Sequence, residues 1–306
     1  MRVALSGLLT CVLVVTAGCG GSSRSARRPA DAFAYDAAQP LGYVERGRVN
    51  QGYPVAIQDV SYRSGRDRVA AFLAVPPERG TRLPAAIFLH GAGGNREEFV
   101  VQATWLAGRR AIGLSITAPS AAATAQRGGS ALQELRREVR LEIRDVIAVR
   151  RAVDLLRRRA DVDPARIGFV GWSAGARTGA ILAGVEPRLR AIVLMSAGAA
   201  PVSVYSARAP AALRPTVRRA LSRVDPLRYI RHAKGSALLL QDGRRDAVVP
   251  RAALAALARA APRGTAIRWY DAGHALDVKA YREQLAWLTR KLGIGGPPVK
   301  GALTGP

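Results

Sequence analysis

The chain has 306 residues, with 47 lysines and arginines against 22 aspartates and glutamates, a net charge of +25, 49% hydrophobic residues and 6% aromatic residues. That balance excludes a disordered chain, which would be poorer in apolar residues, and a polytopic membrane protein, which would not carry so many charges. A single core of this length hides about three quarters of the unfolded surface, so folding requires neither a metal nor a disulfide; one domain of roughly 250 residues is expected.

Four of the cations are lysine and the other 43 are arginine, in a chain also rich in alanine and glycine. This reads as a compositional bias. Scattered charge of this kind attracts nucleic acid, anionic lipid or acidic glycans without specificity. No arginine block is interleaved with aromatics into a stacking groove, so no specific nucleic-acid partner is expected.

Arg2 precedes an apolar run from Val3 to Gly18 broken only by Ser6, Thr10 and Thr16. It is too short for the ~20 residues of a bilayer-spanning helix and reads as a secretory signal peptide over residues 1–18. Val15-Thr16-Ala17-Gly18-Cys19 then resembles the lipobox of bacterial lipoproteins, with Thr16 where leucine is usual. That resemblance implies a diacylated Cys19 and an exported protein held at the membrane of the cell envelope, since more than one acyl chain anchors stably. The only other cysteine, Cys11, lies within the leader, so the mature chain offers no thiol for catalysis or metal binding. Residues 19–54 are rich in Gly, Ser, Ala, Arg and Asp without periodicity and read as a flexible tether.

Val55–Tyr62 and Val69–Val75 flank Ser64-Gly65-Arg66-Asp67 as an antiparallel hairpin. Ala85–Leu89 is a continuous apolar run, as expected of a strand buried on both faces. A helix follows near Arg96–Gly108, with Asn95 and Glu98 as a capping pair, and then a strand over Ala111–Ile116. Ser130 and Gln133 form a capping box ahead of a long amphipathic helix in which Leu132, Leu135, Val139, Ile143, Val146, Val149, Val153 and Leu156 recur at helical spacing. Strands are expected at Arg166–Val170, Ala191–Met195, Ala237–Leu240 and Thr265–Tyr270, and helices near Ser173–Ala183, Pro250–Ala261 and Ala280–Leu292. This alternation predicts a mostly parallel sheet with helices on both faces. Residues 293–306 read as a disordered tail.

Gly171-Trp172-Ser173-Ala174-Gly175 falls between a strand and a helix, the context of a G-x-S-x-G nucleophile elbow, where glycines make room for a strained turn that lifts the serine hydroxyl above the sheet. A serine needs a base to take its proton. Of three histidines, His90 heads His90-Gly91-Ala92-Gly93-Gly94 and is expected to shape a loop of backbone donors, while His232 sits in a cationic stretch and reads as solvated. His274, just past the last strand, is the base by position. Asp246 is chosen as the orienting acid over Asp242, with Gly243 as the turn that brings it back toward the histidine; Asp225, Asp271 and Asp277 are weaker choices.

The order Ser173, Asp246, His274 behind a glycine-rich loop resembles the α/β-hydrolase superfamily, and within it the dienelactone hydrolase-like, acetyl esterase and prolyl oligopeptidase-like branch. The resemblance covers about residues 55–292 and implies an eight-stranded, mostly parallel sheet. It also implies an oxyanion hole from the Ala92 and Ala174 N–H groups, with His90, Gly91, Gly93 and Gly94 building the oxyanion loop. Dienelactone hydrolases use cysteine where this chain has Ser173, and prolyl oligopeptidases carry a propeller that this chain has no room for. The expectation is therefore a serine esterase that cleaves small carboxylic esters through an acyl-enzyme, with no metal and no cofactor. The alternatives are a peptidase or acyltransferase of the same fold and a non-catalytic envelope-binding lipoprotein. Residues 196–236 would pass over the site as a cap; Arg208, Arg214, Arg218 and Arg219 there are compatible with acidic substrates and equally with the arginine-rich composition.

Overall fold

The computed structural model describes residues 32–49, 52–77, 82–123, 129–295 and 298. The expected signal peptide, Cys19 and most of the expected tail lie outside the described residues. The strands are β1 (Val44–Arg48), β2 (Ala56–Ser64), β3 (Asp67–Val75), β4 (Leu83–Leu89), β5 (Ile112–Ile116), β6 (Val162–Trp172), β7 (Ala191–Met195), β8 (Ala237–Gly243) and β9 (Ala266–Tyr270). The helices are α1 (Val100–Ala107), α2 (Pro119–Ala122), α3 (Ala131–Arg157), α4 (Ala174–Val185), α5 (Val202–Ala207), α6 (Arg214–Leu221), α7 (Pro226–Ile230), α8 (Arg251–Ala260) and α9 (Val278–Leu292).

The strands form one nine-stranded sheet in the order β1-β2-β3-β5-β4-β6-β7-β8-β9. From β5 to β9 every pairing is parallel, whereas β1, β2 and β3 join antiparallel at the β5 edge. Alternate residues of the central strands face opposite layers, which is why these strands are apolar throughout. Ile87, Leu89 and Phe169 pack with Val149 and Val153 of α3 and Ile181 of α4. Ala86, Phe88 and Val170 pack with Leu106 of α1 and Leu288 of α9. Burying one such large side chain contributes roughly 1.5 to 3 kcal/mol.

The long helix starts as expected: the Ser130 hydroxyl accepts from the Gln133 N–H, and the Gln133 side chain accepts in return from the Ser130 N–H. Several expectations need correction. The sheet has nine strands rather than eight, because Val44–Arg48, mostly polar and exposed throughout, pairs with β2 through its backbone. That pairing also cuts into the expected tether of residues 19–54, whose packed part begins at the buried Phe33. The buried Arg151 of α3 draws this segment down, donating to the carbonyls of Ala37 and Gln39 and pairing with Asp154 at 3.0 Å. At the other end Ile294 is buried against the α9 layer, so the chain leaves the core later than residue 293. The first helix also starts later than expected, at Val100, because Asn95 and Glu98 do not cap it: Asn95 accepts from the Glu97 N–H, and the Glu98 carboxylate accepts from the Gly91 N–H. Among the described residues no helix is long and apolar enough to cross a membrane.

Candidate active site

β6 ends at Trp172, and Ser173 turns the chain into α4 with φ 53° and ψ −112°. A left-handed φ in a residue with a side chain is strained, at a cost of order 1 to 3 kcal/mol. It is tolerated here because the surroundings fix it: the Ser173 N–H donates to the Met195 carbonyl at 2.8 Å. The flanking glycines are a packing requirement. A Cβ on Gly171 would stand 2.4 Å from the Gly175 carbonyl oxygen, and one on Gly175 would stand 2.4 Å from the Leu89 carbonyl oxygen.

The Ser173 hydroxyl lies 2.9 Å from His274 Nε2, and His274 Nδ1 lies 2.8 Å from Asp246 Oδ2. Three side chains from three separate loops thus form one continuous hydrogen-bonded path. The Asp246 side chain is 1% exposed, and its second oxygen accepts from the Val248 and Val249 N–H groups at 2.8 and 2.9 Å. Burial alone would raise its carboxyl, but the hydrogen bonds from His274, Val249 and Val248 outweigh that and hold it below the usual carboxylate value. The carboxylate is therefore ionised and presents an acceptor to Nδ1–H, which leaves Nε2 with a lone pair toward the serine.

Gly243 opens the expected turn: the Asp246 N–H donates to its carbonyl at 3.4 Å, across Arg244 and Arg245. It ends β8 as a strand residue paired with Tyr270, and its missing side chain admits the histidine loop, whose Ala272 and Gly273 carbonyl oxygens come within 2.5 Å of where a Cβ would be. Two further groups hold this loop, and the sequence did not single them out. Trp172 Nε1 and Ser196 Oγ both donate to the His274 carbonyl, at 2.9 and 2.7 Å, and the Trp172 ring lies 5.1 Å from the imidazole, centroid to centroid.

His90 sits at the end of β4 with both ring nitrogens occupied. Nε2 accepts from the Ala118 N–H at 2.9 Å, which makes Nδ1 the protonated nitrogen donating to the Gly91 carbonyl at 2.6 Å. Burial pushes its pKa down, so the ring is a neutral brace for the loop Gly91-Ala92-Gly93-Gly94. Glu98 fixes the same loop by accepting from the Gly91 N–H. Among the described residues neither the Ala92 nor the Ala174 N–H has a hydrogen-bond partner, and both residues line one cleft.

That cleft, about 380 Å³, is walled by the loop Gly91-Ala92-Gly93, by Glu138, Glu142 and Asp145 of α3, and by Leu221 and Val224 from the 196–236 segment. Asp145 is pushed up to about 7, chiefly by burial. The other acids have different employment: Asp225 and Asp277 cap α7 and α9, and Asp271 pairs with Arg245 on the surface. Asp242 is buried with one oxygen unpartnered among the described residues; burial, then the charge of Asp246, pushes its carboxyl up to about 7. His232 is exposed beyond α7. Among the described residues no group of three His, Cys, Asp or Glu side chains is arranged to hold a metal ion.

No protein-family model matches the chain. It is 31% identical over 233 residues to NocK of Nocardia uniformis subsp. tsuyamanensis, a protein to which its name ascribes esterase activity. The match covers 73% of this chain and 64% of that protein, so this chain spans less than two thirds of that relative's length. Among solved structures, the acetyl xylan esterase of Paenibacillus sp. R4 superposes with a TM-score of 0.71 at 19% identity, covering 86% of this chain and 92% of that one. Acetyl xylan esterase 1 of Thermoanaerobacterium sp. JW/SL YS485 gives a TM-score of 0.69 at 16% identity with the same coverage. These likenesses and the sheet order show the α/β-hydrolase fold.

Proposed function

We propose that this chain is a serine hydrolase of small carboxylic esters. The observation that carries the reading is the unbroken path from Ser173 Oγ through His274 to the ionised Asp246, beside two unused backbone donors. His274 Nε2 takes the hydroxyl proton as Ser173 Oγ attacks the ester carbonyl carbon; Asp246 fixes the imidazole tautomer and stabilises the imidazolium. The Ala92 and Ala174 N–H groups receive the developing oxyanion, each such donor being worth about 3 to 4 kcal/mol in the transition state. The imidazolium then gives its proton to the departing alkoxide. A water, deprotonated by the same nitrogen, attacks the acyl-serine and frees the acid and Ser173.

The cleft of about 380 Å³ onto which Ala92 and Ala174 open is near the small end of ligand sites, which supports a small substrate. The esterase name of the sequence relative and the acetyl xylan esterase names of the two structural relatives support ester cleavage and a short acyl group. The leader and the Gly18-Cys19 junction support export and lipid anchoring. The test is hydrolysis of p-nitrophenyl esters from acetate to decanoate beside Ser173→Ala. Turnover that falls with chain length and vanishes in the variant is expected; an unreactive ester series, or a variant as active as the parent, would overturn the reading. Release of amines from peptides in place of esters would redirect it to a peptidase, and acyl transfer to added alcohols to an acyltransferase.

A further inference from the structure

The stretch from residue 187 to residue 224 contains no aspartate or glutamate, and residues 196–236 hold seven arginines and one lysine against Asp225 alone. Some arginines elsewhere are paired, as in Arg96 with Asp59, Arg144 with Asp67, and Arg188 with Asp154 and Glu186. Arg214, Arg218, Arg219, Arg223 and Arg228 form no such pair among the described residues. All five are exposed and line one groove of about 600 Å³ with no carboxylate among its described walls. A second groove shares Arg219 and Arg223 and adds Arg136 and Arg140 of α3. Such unneutralised charge calls for an anionic partner.

Two further observations select among anions. Val204, Tyr205 and Leu213 are exposed, 39 to 47% each; Leu213 immediately precedes Arg214, and α5, which bears the other two, packs against α6. Exposed apolar side chains beside arginines suit the boundary between headgroups and acyl chains rather than a free ion or a polar polymer. The start of the packed chain is also next to this face: the Phe33 ring lies 5.3 Å from that of Tyr229, whose hydroxyl donates to the Arg223 carbonyl. Twelve residues separate Cys19 from Ala32, a span of at most about 47 Å.

We propose that the arginine face formed by α6, α7 and the start of α3 lies against the membrane and binds anionic phospholipid headgroups, so that the protein is oriented as well as tethered. Its placement relative to the chain's start rests on the anchoring reading above; the binding itself does not. Each arginine near an anionic surface is expected to raise vesicle partitioning about fivefold, equivalent to ~1 kcal/mol.

The experiment uses the chain from Gly20, which keeps every described strand and helix, sedimented with vesicles of phosphatidylcholine alone or with phosphatidylglycerol added. Partitioning should require phosphatidylglycerol, fall with salt, and drop at least about a hundredfold in Arg214→Glu/Arg218→Glu/Arg219→Glu. Turnover of a soluble ester should be unchanged in that variant, which reports its folding. A matched reversal at exposed sites elsewhere, Arg46→Glu/Arg48→Glu/Arg268→Glu, should retain most of the binding. Equal losses in the two variants would overturn the proposal in favour of overall charge, and so would equal binding to neutral vesicles. Stronger binding to soluble polyglutamate than to vesicles would overturn it in favour of an acidic polymer. Acyl labelling of Cys19 in the full chain tests the anchor separately, so a missing label with vesicle binding intact would remove the tether and leave the face.

Discussion

Asp246→Asn isolates the role of one proton. The amide oxygen of the substituted side chain can keep both backbone bonds now made by Asp246 Oδ1, at 2.8 Å from Val248 and 2.9 Å from Val249, so the loop should hold its shape. What then faces His274 Nδ1 is an NH2 group, which cannot accept. The imidazole must turn its Nδ1 lone pair to that donor and carry its proton on Nε2, where it donates to Ser173 instead of taking the serine proton. A wrong tautomer of this kind costs about 10⁴ in kcat, or roughly 5.5 kcal/mol at about 1.36 kcal/mol per factor of ten. The assay is kcat and KM on p-nitrophenyl acetate, with Tm as a control for folding; KM should move little, since the amide touches no substrate. A kcat within tenfold of the parent at unchanged Tm would refute the assignment. The control is Asp242→Asn, which should leave kcat nearly unchanged, and a reversal between the two variants would transfer the orienting role to Asp242.

Asp242 also predicts a pH dependence of stability. Its carboxyl, ordinarily near 3.8, is pushed up to about 7 in the fold, so the native state keeps a proton that the unfolded chain releases. Stability should fall as pH rises from about 4 to about 7 and then level off, by a few kcal/mol at most; urea midpoints at pH 5 and pH 8 should differ less in Asp242→Asn, with Asp145 supplying the remaining slope. Ser173→Gly should abolish turnover while raising stability by about 1 kcal/mol, because glycine relieves the φ of 53°; a lower Tm would contradict the strain. Gly175→Ala should cost about 1 to 3 kcal/mol and most of the activity, since its Cβ meets the Leu89 and His90 carbonyls at 2.4 and 2.6 Å; a fully active, stable variant would show that the loop yields. Ser196→Ala removes one of two donors to the His274 carbonyl and should lower kcat only severalfold, at about 0.5 to 1.5 kcal/mol, leaving KM unchanged; an unchanged kcat would show that Trp172 alone suffices.

The central strands were legible in the sequence because burial on both faces writes an unbroken apolar run, as at Ala85–Leu89. The long helix announced itself through a capping box and sustained periodicity. β1 was not legible: it is held by backbone pairing and carries the mostly polar side chains of an exposed edge. The segment from Phe33 to Leu41 was missed for a related reason, since its order comes from one buried ring and from arginine side chains more than a hundred residues away. At the candidate site, chain order and spacing brought out Ser173, Asp246 and His274, each next to a strand end. Glu98 misled, because a carboxylate at capping distance from Asn95 turns instead to the Gly91 N–H. Trp172 and Ser196 act on a backbone carbonyl, and no residue pattern marks that contact. Gly243 was legible as the start of the turn that carries Asp246, but not as the gap that admits the backbone of the neighbouring histidine loop.

The most direct test of the central claim is reaction of the protein with an activated phosphonate ester, followed by mass spectrometry of its peptides. The account predicts one adduct per chain, on Ser173, lost in Ser173→Ala and strongly slowed in His274→Ala. An intact protein that forms no adduct, or one labelled with equal speed at another residue, would contradict it.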